Sequence, residues 1–121
     1  MRLFALRGAS SVERNDTEAI LGATECLLRE ILERNDLQPS DVVSCIFTLT
    51  DDLNAEFPAV AARNMGFSQV PLLCSREVPV PGAMPSVIRV LMHYHAAADH
   101  VPRHVYLGAA RALRQDLEGA Q

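Results

Sequence analysis

The sequence predicts an α+β domain: a mixed sheet of about five strands carrying one long helix and one or two short helices on one face. Three observations predict it. One segment near the N-terminus has clear helical periodicity and lies between two short apolar runs. Several further apolar runs, rich in β-branched residues, follow at short intervals. Between these runs stand proline, glycine and aspartate clusters of the kind that turn a chain.

Taken in order, Arg2 to Gly8 is a mostly apolar run closed by glycine. As a strand it places Leu3, Ala5 and Arg7 on one face, because side chains alternate. A helix start follows at Asn15-Asp16-Thr17-Glu18, with Asn15 as the expected cap and Glu18 three residues on, as in a capping box. Ile20, Leu21, Leu27, Leu28, Ile31 and Leu32 then recur at helical spacing, with charges between them, until Asn35 and Pro39 end the helix. Val42 to Leu49 reads as a largely buried strand, and Asp51-Asp52 as a turn with local side-chain to backbone bonds. Pro58 suits the first turn of a short helix reaching about Met65, and Gly66 ends it. Val70–Val78, Ile88–His95 and Arg103–Leu107 read as the third, fourth and fifth strands, with a proline-rich loop at 79–85. Gly108 to Leu117 reads as a turn or short helical tail, and Glu118 to Gln121 as a fraying end.

The 121 residues suffice for one domain, expected over 1–117, and 49% of them are hydrophobic, enough for a core. A net charge of -4 speaks against a nucleic-acid binder, whose footprint is a basic excess, yet leaves room for an anionic ligand held by clustered arginines. No apolar run approaches the length of a membrane span, and the first residues lack the features of a signal peptide. Cys26, Cys45 and Cys74 are odd in number and far apart, as expected for free thiols in a reducing cytoplasm. Five strands and one long helix leave a sheet face uncovered, which small domains of this kind hide by oligomerising.

Two arginines break the strand pattern. Arg7 stands in Ala5-Leu6-Arg7-Gly8, and Arg89 in Val87-Ile88-Arg89-Val90-Leu91. A guanidinium on a buried strand needs a partner. Either it pairs with Glu13, Glu77 or Asp99, or it sits on a solvated face, or it forms an anion site, since its planar donor fork matches a carboxylate. Arg63 and Arg114 are candidates to extend such a site.

The pieces Leu6-Arg7-Gly8-Ala9 with Val12-Glu13, Asp52-Leu53 before Phe57-Pro58-Ala59 and Arg63, Val70-Pro71 with Cys74 and Glu77, Ile88-Arg89-Val90, and Arg103-His104-Val105-Tyr106-Leu107 with Leu113-Arg114 recur in order over nearly the whole chain. In these the sequence resembles the small α/β class of chorismate mutases, not the all-helical class. The resemblance implies a barrel-like homotrimer with sites between subunits, chorismate as substrate, prephenate as product, and no cofactor or metal. It gives Arg89 the ether oxygen of the substrate, Arg7 a carboxylate with Tyr106 as second donor, and Glu77 the ring hydroxyl with Cys74 assisting. Phe57, Leu72 and Leu73 form the apolar wall from across the interface, and Arg63 and Arg114 the mouth. A lysine common in the family three residues after the phenylalanine is replaced by Val60, which removes one cation from the edge.

Other candidates have plainer readings. His93 and His95 form an HxH pair lacking an obvious third ligand, so they read as solvated or interface histidines. Cys74 lies beside Leu72 and Leu73 with no nucleophile signature. Tyr106 alone would read as core, and Gly8 as serving a turn. The competing function is a non-catalytic, or enamine- or imine-acting, small-molecule-binding trimer of the same fold. Such a protein would keep an arginine cluster without a donor for the ether oxygen.

Overall fold

The structure is a computed structural model that describes residues 1–113. The end of the expected helical tail, Arg114 and the terminal residues Glu118 to Gln121 lie outside the described residues.

Five strands form one sheet in the order β3-β2-β4-β1-β5: β1 (Arg2–Ser11), β2 (Val42–Leu49), β3 (Leu72–Arg76), β4 (Val87–Ala96) and β5 (Val105–Leu107). β4 runs antiparallel to both β1 and β2, while β3 and β5 join the edges as parallel strands. Parallel neighbours require a crossover. The helix α2 (Ala59–Asn64) lies in the connection from β2 to β3, and α1 (Thr17–Arg34) in that from β1 to β2.

α1 buries Ile20, Thr24, Leu27, Leu28 and Ile31, spaced as one helical face. The last three join Leu6, Phe47, Val90 and Met92 in the main core. At its start the cap is Asp16, not Asn15: the Asp16 carboxylate accepts from the Ala19 amide at 2.7 Å. The expected Asn15 and Glu18 box does not form. Asn15 instead accepts from the amides of Asn54 and Ala55, at 2.9 and 3.1 Å, and so ties down the loop after β2. Asn35 ends the helix as expected.

Other boundaries differ for identifiable reasons. β1 does not close at Gly8 but continues to Ser11, and Gly8 serves close packing instead of a turn. A Cβ there would meet Ile31 Cδ1 at 2.8 Å, with Leu27 and Val90 methyls at 3.2 Å. The third strand shrinks to Leu72–Arg76 between Pro71 and Pro79, which lack amide donors. The fifth begins at Val105, because the Arg103 backbone is taken by the Asn35 side chain. β2 keeps the expected bounds.

Alternation then sorts the strands. Leu6, Cys45, Phe47, Val90, Met92 and Tyr94 face the helices and are buried. Arg7, Thr48, Arg89, His93 and Tyr106 stand on the other face, together with Leu3, Ile46, Leu73 and Leu91. Of these Leu3 is 55% exposed and Leu73 63%. Neither α1 nor α2 covers this second face; at one end Ala110 and Leu113 pack on Ala9, Val87 and Tyr106, and the candidate site lies beside them.

Candidate active site

Three adjacent strands and the segment after β3 place four of the expected residues in one cleft. It has a volume of about 360 Å³ and is lined by Arg7 and Ala9 of β1, Arg89 and Leu91 of β4, Tyr106 of β5, and Glu77. Ile46 and Thr48 of β2 complete it. The register explains the grouping: Ala9 pairs with Arg89 on one side and Tyr106 on the other, and Thr48 pairs with Arg89. Arg89, Ala9 and Tyr106 are therefore cross-strand neighbours on the same face.

Of the partners expected for the two arginines, Glu77 is found with Arg89, at 3.4 Å between Nε and a carboxylate oxygen. That contact is an ion pair and not a hydrogen bond. Arg89 Nε is buried with no hydrogen-bond partner among the described residues. A desolvated donor left unsatisfied is costly, and an acceptor entering the cleft would relieve that cost. Glu77 is held from below by the Thr48 hydroxyl, which donates to its carboxylate. Arg7 has no ion-pair partner among the described residues. The cleft thus offers two guanidinium groups, one phenol and one braced carboxylate, with apolar walls from Ile46, Leu91 and Ala9.

The rest of the expected set that the structure describes lies elsewhere in the chain. Phe57 and Cys74 line a second cavity of about 400 Å³ with Asp51, Arg76 and residues 53–56. Cys74 pairs in register with Phe47, whose side chain faces the helices, so within one chain it is not beside Glu77. Leu72 packs against the core, whereas Leu73 projects from the uncovered face. Arg63 is exposed on α2 and lines neither cavity. His93 is bonded to the Ser44 hydroxyl at 3.1 Å, and no cluster of three metal-ligating side chains occurs among the described residues.

The turn at Asp51-Asp52 forms as expected, with local bonds at Asp52, whose carboxylate also reaches across to the start of β4. The Asp52 carboxylate accepts from the Ser86 hydroxyl at 2.6 Å and from its amide at 3.2 Å, and Asp51 pairs with Arg76. The bonds from Ser86, then from Thr50, hold the Asp52 carboxyl down at about 2. Ser86 has φ 55, a conformation that a non-glycine residue adopts only when its surroundings fix it. The latch thereby fixes the start of β4 just before Arg89.

Sequence reasoning missed Thr48 and Ile46. Alternation in Val42–Leu49 puts both on the face opposite Phe47, and that signal was sufficient to find them.

Comparison with known proteins points to one family. A family profile described as chorismate mutase type I matches residues 3–117. A chorismate mutase of Thermus thermophilus is 51% identical over 119 residues, covering 96% of this chain and 97% of that protein. One from Bacillus subtilis is 42% identical over 120 residues, covering 97% and 94%. A solved chorismate mutase structure from Clostridium thermocellum superposes with a TM-score of 0.84 at 44% identity, covering 90% of this chain and 98% of that one. The chain belongs to the type I chorismate mutase family.

Proposed function

We propose that the cleft between Arg7, Arg89, Glu77 and Tyr106 binds chorismate and rearranges it to prephenate, a step of aromatic amino acid biosynthesis. The enzyme is an isomerase. One C–O bond breaks as one C–C bond forms within the same molecule, so neither a nucleophile nor a proton transfer is needed. The protein contributes by selecting the reactive conformer and by stabilising charge on the departing ether oxygen. Arg89 donates to that oxygen, Arg7 and Tyr106 hold a substrate carboxylate, and Glu77 accepts from the ring hydroxyl. The observation that carries this assignment is Arg89 Nε, buried without an acceptor among the described residues in a cleft that also holds Arg7, Glu77 and Tyr106. A trimer that merely binds an anion needs no donor so placed.

Two sets of residues lie on two parts of one chain: the charged cleft, and the cavity of Phe57 and Cys74. A second copy of the chain, laid on the uncovered face, would supply its Phe57 and Leu73 as the missing apolar wall, with its Cys74 assisting Glu77. The assembly is a homotrimer with three such sites, in which Arg63 and Arg114 draw the dianion to the mouth. The three thiols suit a reducing cytoplasm, and no described helix is long and apolar enough to cross a membrane.

The test is an assay of purified protein with chorismate, following ultraviolet loss of substrate and chromatographic appearance of prephenate, beside Arg89→Ala. Wild type is expected to form prephenate. Loss of a donor aimed at developing oxyanion charge should cost on the order of 10²–10³ in kcat, about 2.7–4 kcal/mol. Near-normal kcat in Arg89→Ala would remove Arg89 from the ether oxygen. Absence of any turnover by wild type would favour the binding trimer.

A further inference from the structure

We propose that His104 is a positioning residue that fixes the Arg7 backbone and sets its spacing from Tyr106. The proposal rests on the reading that Arg7 holds a substrate carboxylate.

β1 and β5 pair over three positions, Gly8 with Val105, Ala9 with Tyr106 and Ser10 with Leu107. One residue earlier the backbone ladder stops. The chain at Arg103 is drawn to the end of α1, where Asn35 accepts from the Arg103 amide at 2.8 Å and donates to its carbonyl at 3.0 Å. A backbone carbonyl therefore does not meet the Arg7 amide. The His104 ring does: Nδ1 accepts from the Arg7 amide at 2.9 Å. Because the amide is the donor, Nδ1 carries the lone pair and the ring proton sits on Nε2.

This side chain thus continues the β1–β5 ladder by one step. Arg7 lies immediately before the first backbone pair, and Tyr106 lies two residues after His104. On its other side Arg7 is paired with Leu91 of β4. The next residue, Gly8, is pressed against α1 too closely to admit a Cβ. With His104 in place the Arg7 Cα is held from both flanks, so its guanidinium projects from a fixed point. Without it, the strand edge at Arg7 is free on the β5 side. A contact made to substrate in both ground and transition states is then weakened, and such a loss appears in KM more than in kcat.

Asparagine and glutamine separate this role from generic packing. Asn Oδ1 occupies the branch position of His Nδ1, whereas Gln Oε1 reaches toward that of Nε2. The experiment compares His104→Asn, His104→Gln, His104→Ala and Arg7→Ala in the chorismate assay, with amide hydrogen exchange at Arg7. Expected is near-wild-type KM in His104→Asn. In His104→Gln and His104→Ala, KM rises about ten-fold with kcat changed less than about three-fold. The Arg7 amide should be as protected as that of Ala9 in wild type and in His104→Asn. If Arg7→Ala leaves KM unchanged, the carboxylate reading fails and the proposal with it. If Arg7→Ala raises KM while His104→Gln and His104→Ala do not, or if His104→Asn is as impaired as His104→Ala, the positioning role alone is overturned. An unprotected Arg7 amide in wild type overturns it without any variant, whether or not the others fold.

Discussion

A guanidinium on the central strand of a sheet has to be paired or put to use. Arg89 is only half paired: Glu77 approaches at ion-pair distance, while Nε keeps an unused hydrogen. Glu77 is braced by Thr48, so the pair does not collapse into a closed bridge. Arg63 differs in kind, being exposed on α2 and lining neither cavity. The role proposed for it is long-range attraction of the dianion, made equally in ground and transition states, with Val60 leaving one cation fewer at the edge. Arg63→Ala is accordingly expected to raise KM by about three- to five-fold with kcat little changed, the size of an exposed charge interaction. Steady-state kinetics at low ionic strength measures this, and an unchanged KM removes Arg63 from the site.

At the scale of elements, most of the fold was legible because periodicity was strong. α1 and β2 were read with the right type and nearly the right ends, and the shared face of Leu3, Ala5 and Arg7 followed from alternation alone. The misreadings occurred where two residues of equivalent chemistry compete or where tertiary contact decides. Asn15 and Asp16 are both good caps, and only the path of the loop after β2 assigns Asn15 to Asn54 and Ala55. Asp16→Ala is expected to destabilise the fold by about 1 kcal/mol, as thermal or denaturant unfolding would show, and no loss would return the cap to Asn15. Gly8 looked like a strand end, yet its reason is the methyl groups of α1 above it, which no local pattern reports. The Asp52 latch joins residues 34 apart in sequence and is invisible for the same cause.

At the scale of the whole molecule, the site residues named from the sequence divide into two groups that one chain does not bring together. Arg7, Arg89, Glu77 and Tyr106 share a cleft because their strands are neighbours in register. Phe57 and Cys74 line a cavity of their own, and Leu73 projects from an apolar sheet face that α1 and α2 leave bare. Residue order names both groups, and the family resemblance implies that the second comes from across an interface, but only the strand register shows that one chain keeps them apart. Leu3, Ile46, Leu73 and Leu91 make the face costly to leave in water. On the proposed function, a site completed between copies would make this exposed face part of the catalyst, and activity would then depend on assembly. Sedimentation equilibrium of the wild-type protein, read beside specific activity over the same dilution series, tests that claim most directly. A trimer whose specific activity falls as it dissociates is the predicted result; a monomer that retains full turnover would contradict it.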